Sequence, residues 1–394
     1  MKVRTYLKQR RWEKVQKSTF ARSCVPKRRK SVIRVLDLCA GIGGFRAGCS
    51  LVRNPNLVFK FVGFAEYDKY PKRAYKRAYN TFGETEISDI KELTRTDNDD
   101  FDGGFLKKSS ERSSKIAHGF PDHDILFAGF PCQPFSIMGQ EAGVDDMLGR
   151  GELIFDLVEI IREKQPNFFV LENVKNFVRI NEGRLCDLVT AELKSIGVGY
   201  NVQVRILNAK DYGVPQTRNR AFIIGVKKGL GQNQISKTRK SFRSEYFSTV
   251  HPFLEKDANS KYYLSEKIKP TILSSGTGGW SAKAEINKLV ARPLTKTMHK
   301  MHRASQDNYY SDDFIHGTWD ASGKAILPAT HGQNRIRKVT PYEALRIQAF
   351  PEDVIRRLQR SGLSDTRIYM AAGNAVPPPL VAAVLDSMPL ISNT

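Results

Sequence analysis

From Val32 onward the chain alternates short apolar runs with amphipathic stretches, and the alternation predicts strands and helices in turn. Val32–Leu38, Phe59–Ala65 and Asp124–Ala128 have the length and the β-branched or aromatic content of buried strands, while Phe45–Arg53 and Pro71–Phe82 carry helical spacing. The pattern continues with an amphipathic helix at Glu152–Lys164, a strand at Phe168–Leu171, a helix near Leu185–Ser195, and strands around Val202–Leu207 and Ala221–Val226. Such alternation predicts a parallel sheet covered on both faces, a doubly wound α/β domain. Thr96 to Phe120, rich in Asp, Ser, Gly and Lys, reads as a long, mobile surface insertion. After Lys227 the chain is basic and polar to about Gln333 with no sustained helical period, which predicts a second, smaller and irregular domain. Helical spacing returns at Pro341–Phe350 and Val376–Ser387 and brings the chain back to the first domain. The division expected is an arm over 1–30, the α/β domain over 31–228 completed by 366–394, and the irregular domain with a hinge over 229–365.

Charge changes the picture more than size does. A chain of 394 residues with 40% hydrophobic content can bury a full core, but its formal charge of +22 points to a polyanionic partner. The arm carries Lys8, Arg10, Arg11, Lys14, Lys17, Arg22, Lys27, Arg28, Arg29 and Lys30 against Glu13, and reads either as a solvated tail or as a phosphate-contacting extension. No apolar run approaches membrane-spanning length, and the first residues lead into charge rather than a signal sequence, so a cytoplasmic protein with no membrane partner is expected. Five scattered cysteines without a C-x-x-C pair indicate neither a disulfide framework nor a zinc site, and His299 and His302 lack the third ligand a metal needs.

One of those cysteines stands apart. Cys132 lies between Pro131 and the Gln133-Pro134 pair directly after an apolar strand, on a stiff turn at the sheet edge where α/β proteins place their ligands. A thiolate becomes a nucleophile when its position is fixed and its pKa lowered, although a small buried hydrophobe is the commoner fate of an intracellular cysteine. A second signal follows the first strand: Asp37-Leu38-Cys39-Ala40-Gly41-Ile42-Gly43-Gly44-Phe45 has the glycines that let backbone approach a nucleotide-like cofactor. Glu66-Tyr67, at the end of the next strand, supplies an acid where ribose hydroxyls are usually held.

Together these blocks resemble the cytosine-C5 DNA methyltransferases that use S-adenosylmethionine, over nearly the whole chain from Val32 to Met388 and in the family's order. Asp37, Cys39, Ala40, Gly41, Gly43 and Gly44 look like the cofactor loop, Glu66 and Tyr67 like the ribose-binding acid and its aromatic neighbour, and Asp89-Ile90 like the adenine contact. Pro131-Cys132-Gln133 is similar to the nucleophile motif, with Pro131 against the cofactor; Glu172-Asn173-Val174 matches E-N-V and Gln216 to Arg220 matches Q-x-R-x-R. Gly373-Asn374-Ala375-Val376 resembles the closing segment that folds back on the cofactor through Asn374 and Ala375.

The resemblance implies a Rossmann-like methyltransferase domain with a target-recognition domain, S-adenosylmethionine as donor and S-adenosylhomocysteine as product. It implies a monomer acting on double-stranded DNA and paired with a restriction endonuclease. Cys132 would add to carbon 6 of a flipped cytosine, Glu172 would serve ring nitrogen 3, Arg218 would hold oxygen 2 and orient Glu172, and Arg220 completes the catalytic set. Ser136 and Arg150 bound a segment that resembles the family's closing loop, and Arg292, Thr297, Lys300 and Arg303 are the expected DNA contacts of the recognition region. Three departures stand out: Cys39 occupies a position where the family often has Phe, the closing loop is slightly longer around Met147-Leu148-Gly149, and Thr297-Met298 replaces a Thr-Leu pair. Two rival readings share the scaffold, a tRNA cytosine-5 methyltransferase and a non-catalytic DNA-binding relative.

Overall fold

The structure, a computed structural model, describes residues 30–97, 99, 101–102, 105–131, 153–230, 234–238, 249–277, 280–319, 325–327 and 335–390. Seven strands make one sheet: β1 (Ser31–Leu38), β2 (Leu57–Ala65), β3 (Thr85–Ile87), β4 (Ile125–Gly129), β5 (Phe168–Val174), β6 (Tyr200–Asn208) and β7 (Asn219–Lys227). Their spatial order is β3-β2-β1-β4-β5-β7-β6, doubly wound about β1 and mostly parallel. β7 alone runs against its neighbours. The connection from Asn208 to Asn219 is too short for a helical crossover, so the chain can only turn back on itself.

Burial on both faces explains why the strands are continuous apolar runs rather than alternating ones. On β1, Val35 and Leu36 point to opposite faces and both are fully buried. Leu36, Leu126 and Phe169 meet Phe155 and Ile161 of α5 (Leu153–Lys164) and Leu193 of α6 (Arg184–Ser195). Val35, Ile125 and Val170 meet Phe45 of α1 (Gly44–Leu51) and Val381 and Val384 of α10 (Pro378–Leu385), with Phe45 stacked on Phe127 at 4.9 Å. A third cluster joins Ala74 and Ala78 of α2 (Lys69–Ala78) to Leu294, Tyr310, Leu345 of α7 (Pro341–Ile347), Ile355 of α8 (Glu352–Gln359) and Tyr369 of α9 (Asp365–Asn374).

The segment expected to be a mobile insertion over Thr96–Phe120 is partly core. It contains α4 (Ser110–Gly119), capped by the Ser109 side chain, which accepts from the Arg112 backbone N–H. Ile116 in the helix and Phe120, which caps its C-terminus, are both buried in the core beneath the sheet. A second expectation needs amending: the stretch Asp365–Leu385 does have the length and apolarity to cross a membrane. It is broken into α9 and α10 around Ala375 to Pro377, and 78% of its most apolar window is buried within the protein. The irregular region is held by a short antiparallel pair, β8 (Tyr309–Ser311) and β9 (Ile336–Lys338), and by the fully buried Arg337–Glu343 ion pair at 2.7 Å. Glu343 also completes a capping box with Thr340 at the start of α7.

Candidate active site

The carboxyl ends of β1, β2, β4 and β5 lie side by side, with Leu38 opposite Ala65 and Ala128, and Gly129 opposite Glu172. They open on a cleft of about 760 Å³, at the sheet edge where α/β folds bind ligands. Cys39, Gly41 and Gly43 take positive φ in succession around the turn that leaves β1. Glu66 anchors this turn: its Oε2 accepts from the Gly41 N–H at 2.8 Å and its Oε1 from the Asp68 N–H at 2.9 Å. The Tyr79 hydroxyl donates to the Gly43 carbonyl at 2.9 Å. A Cβ on Gly44 would lie 2.5 Å from the Val376 carbonyl oxygen, so glycine here is what lets the C-terminal segment close against the turn.

Cys39, Ala40, Gly41, Gly44, Glu66, Tyr67, Asp89, Ile90, Pro131, Asn374 and Ala375 all line the cleft. Asp37 and Gly43, named with them from the sequence, face elsewhere. Asp37 is fully buried behind the turn, where the Tyr75 hydroxyl donates to its Oδ2 at 3.2 Å, and Gly43 packs on the Tyr79 ring. Asp89 lines the cleft while its Oδ1 accepts from the Lys91 N–H that opens α3 (Lys91–Thr94).

At the other end of the cleft stands a carboxylate and a guanidinium. Glu172 on β5 is buried, and Arg220 Nε lies 2.8 Å from its Oε1. The register makes this contact: Glu172 pairs with Phe222 and Val174 with Arg220, so Glu172 and Arg220 are diagonal neighbours on one face, within reach of a long side chain. The N–H is not aimed at the oxygen, and Oε1 lacks a hydrogen-bond donor among the described residues. Burial pushes the Glu172 carboxyl above the usual carboxylate range, against the pull of Arg220 and Arg218. Asn173 ties this strand to the next: its Nδ2 donates to the Phe130 carbonyl at 3.2 Å, two residues before Cys132.

Arg218 does not occupy the place expected for it. It precedes the first residue of β7, and its guanidinium turns away from the cleft to donate to the carbonyls of Leu294 at 2.6 Å, Gly373 at 2.6 Å and Ala375 at 3.0 Å. Gln216 works alongside it, accepting from the Leu294 N–H and donating to Gln348 Oε1. Arg218 thus staples the irregular region to the C-terminal segment, and Arg220 is the arginine that meets Glu172.

Cys132, Ser136 and Arg150 lie outside the described residues. Arg292 holds its own loop, donating to the Glu285 carbonyl at 3.0 Å and pairing with the Glu285 carboxylate at 3.4 Å. Thr297 Oγ1 sits 3.3 Å from Thr295 Oγ1, Lys300 is exposed and Arg303 half-buried; none of these four is in the cleft wall. The residue of this region that does line the cleft is Lys296, and Arg367, Met370 and Ala371 of α9 join it. Nothing distinguished Lys296 among so many lysines in the sequence.

Residues 33–389 match the family described as C-5 cytosine-specific DNA methylase. The Type II methyltransferase M.SsoII of Shigella sonnei is 32% identical over 90% of this chain and 79% of its own length. Type II methyltransferase M.HpaII of Haemophilus parainfluenzae is 31% identical over 88% and 87%. Among solved structures, the Entamoeba histolytica methyltransferase EhMeth superposes with a TM-score of 0.64 at 17% identity, covering 91% of this chain and 98% of that one, and so speaks to the fold. With the family matched across nearly the whole chain, and with the acid, the arginine and the glycine turn gathered in one cleft, this protein belongs to the C-5 cytosine-specific DNA methylases.

Proposed function

We propose that this DNA cytosine-5 methyltransferase uses Cys132 as its covalent nucleophile, Glu172 and Arg220 as the groups that face the cytosine ring, and S-adenosylmethionine as methyl donor. The observation that carries the reading is one of placement: Pro131, the residue before Cys132, shares a cleft with the Glu172–Arg220 pair and with the acids Glu66 and Asp89.

The cleft residues suit such a donor. Glu66 keeps acceptor capacity for ribose hydroxyls beyond the two backbone bonds it accepts, Asp89 can accept from an adenine amine, and Tyr67 and Ile90 offer apolar faces to a base. When bound, the donor supplies an electrophilic methyl group on a sulfonium. In the reading proposed here, the Cys132 thiolate adds to carbon 6 of the extruded cytosine, and the displaced electron pair moves to nitrogen 3. Glu172, whose burial favours the protonated carboxyl, donates a proton there, and Arg220 stabilises charge at oxygen 2. Carbon 5 is then nucleophilic enough to take the methyl group. Loss of the carbon 5 proton to a base expels the thiolate, and nitrogen 3 returns its proton to Glu172, which restores the ring. Asn173 positions the nucleophile turn through Phe130, and Arg218 positions the whole wall of the cleft.

The match to enzymes named Type II methyltransferases supports pairing with a restriction endonuclease, and residues 229–365 are proposed to read a short DNA sequence. Bisulfite sequencing of a random-sequence plasmid, incubated with the protein and S-adenosylmethionine beside a Cys132→Ser control, tests both. Methylation confined to one short motif and absent from the control is the expected result. Methylation of tRNA with none of duplex DNA would transfer the assignment of the substrate to RNA.

A further inference from the structure

The wall that α9 gives to the cleft is continuous from end to end. Arg367, Met370, Ala371 and Asn374, spaced as one helical face, all line it, so the helix runs along the cleft. Both ends of α9 are fastened to the irregular region. At the C-terminal end, Arg218 binds the carbonyls of Gly373, Ala375 and Leu294 together. At the N-terminal end, the Tyr262 hydroxyl donates to Asp365 Oδ2 at 2.8 Å, and Lys261 pairs with the same carboxylate at 2.7 Å.

Facing this N-terminal end stands Tyr70, in the first turn of α2, just after the Glu66-Tyr67 end of β2. The Arg367 guanidinium lies 3.7 Å from the centre of the Tyr70 ring, and both side chains belong to the cleft wall. An arginine stacked on an aromatic face is held by its planar charge, and the contact strengthens as water is excluded from it. A ligand filling the cleft excludes that water.

We propose that Arg367 and Tyr70 form a clasp at the cofactor cleft, setting how long S-adenosylmethionine and S-adenosylhomocysteine stay bound and linking that residence to the position of the recognition region through α9. The proposal rests on the reading of the cleft as the cofactor site. Both are positioning residues.

Stopped-flow release of S-adenosylhomocysteine from the full-length protein tests the clasp. Arg367→Ala is expected to speed release roughly tenfold and to raise KM for S-adenosylmethionine in step, with the loss falling on KM rather than kcat. Tyr70→Leu should do the same, the double variant should be no worse than either alone, and Tyr70→Phe, which keeps the ring, should stay within about twofold of the wild type. Release within about twofold of wild type in both Arg367→Ala and Tyr70→Leu overturns the clasp. So does a loss confined to DNA affinity, which would make Arg367 a phosphate contact instead. Failure of the wild-type protein itself to bind S-adenosylhomocysteine would overturn the cofactor reading, a separate outcome visible before any variant is made.

Discussion

Replacing Arg220 by Lys keeps a positive charge but removes the planar fork that can serve Glu172 and the cytosine oxygen together. The expected outcome is a fold left intact and a fall in kcat of about 10²-fold, the usual loss for one charge-stabilising donor. Arg218→Met should behave in the opposite way. It takes the guanidinium donor from two buried carbonyls and one half-buried carbonyl, at a cost of about 3 kcal/mol, so the unfolding midpoint falls along with activity. Thermal unfolding measured beside turnover separates the two, and equal midpoints would refute the division of labour. Spacing alone could not have assigned these roles: residues two apart point the same way on a strand, and only the start of β7 at Asn219 puts Arg218 outside it. Glu66 and Asp89 could be read as cleft residues because both follow the ends of strands, whereas Cys132 lies outside the described residues. The position of Asp37 could not be read, since its burial behind the turn depends on Tyr75, a residue no motif includes. Burial raises the Asp37 pKa to about 8 from 3.8, so the folded protein holds this proton more tightly than the unfolded chain. The stability it contributes is therefore complete below about pH 4 and is lost as pH rises through about 8. Asp37→Asn has no proton to lose, and from about pH 5 to 8 the wild type should lose stability relative to it by at most about 1.4 kcal/mol per pH unit. A gap between their unfolding midpoints that does not change with pH would contradict this.

Two elements meet backbone to backbone where α9 crosses the segment before Met298. A Cβ on Gly373 would lie 2.2 Å from the Thr295 carbonyl carbon and 2.3 Å from the Lys296 nitrogen, and backbone on both sides leaves nothing flexible to yield. Gly373→Ala should therefore force α9 and the Lys296 segment apart, at about 2 kcal/mol or more. Gly83→Ala is the contrast: its φ is +79° but open space surrounds it, so only backbone strain of about 1 kcal/mol is expected. Comparable midpoints for the two variants would show that the contact can relax. This kind of contact is invisible in a sequence, where Gly373 is one glycine among 29. The same limit appears in the sheet. Apolar runs announced six of its strands, but they carry no direction, so the reversal of β7 became apparent only with the short connection before it. β3 went unread because three residues, two of them exposed and polar, make no pattern. Ile116 in α4 and Phe120 just after it, both buried, were lost among polar neighbours, although their spacing of four was the available signal.

Taken over the whole molecule, charge is distributed very unevenly. Residues 1–30 hold twelve Lys and Arg against one Glu, so a net +11 of the total +22 sits in the arm, ahead of the first strand. The cleft is built from Cys39 onward, and acids and bases both line it. A protein that neutralises phosphates releases counterions, and the logarithm of its DNA affinity falls with the logarithm of salt concentration by about 0.9 per phosphate contacted. If the arm lies along DNA, removing residues 1–30 should lower affinity for non-cognate duplex and make that slope shallower by several units, with each lost unit counting about one phosphate. Affinity for S-adenosylhomocysteine, assigned to the cleft in the proposed reading, should not change, and that measurement guards against a truncated chain that has merely misfolded. A slope that stays the same while affinity for both ligands is preserved would identify the arm as a solvated tail, and would leave the remaining +11, spread over 364 residues, to account for DNA binding by itself.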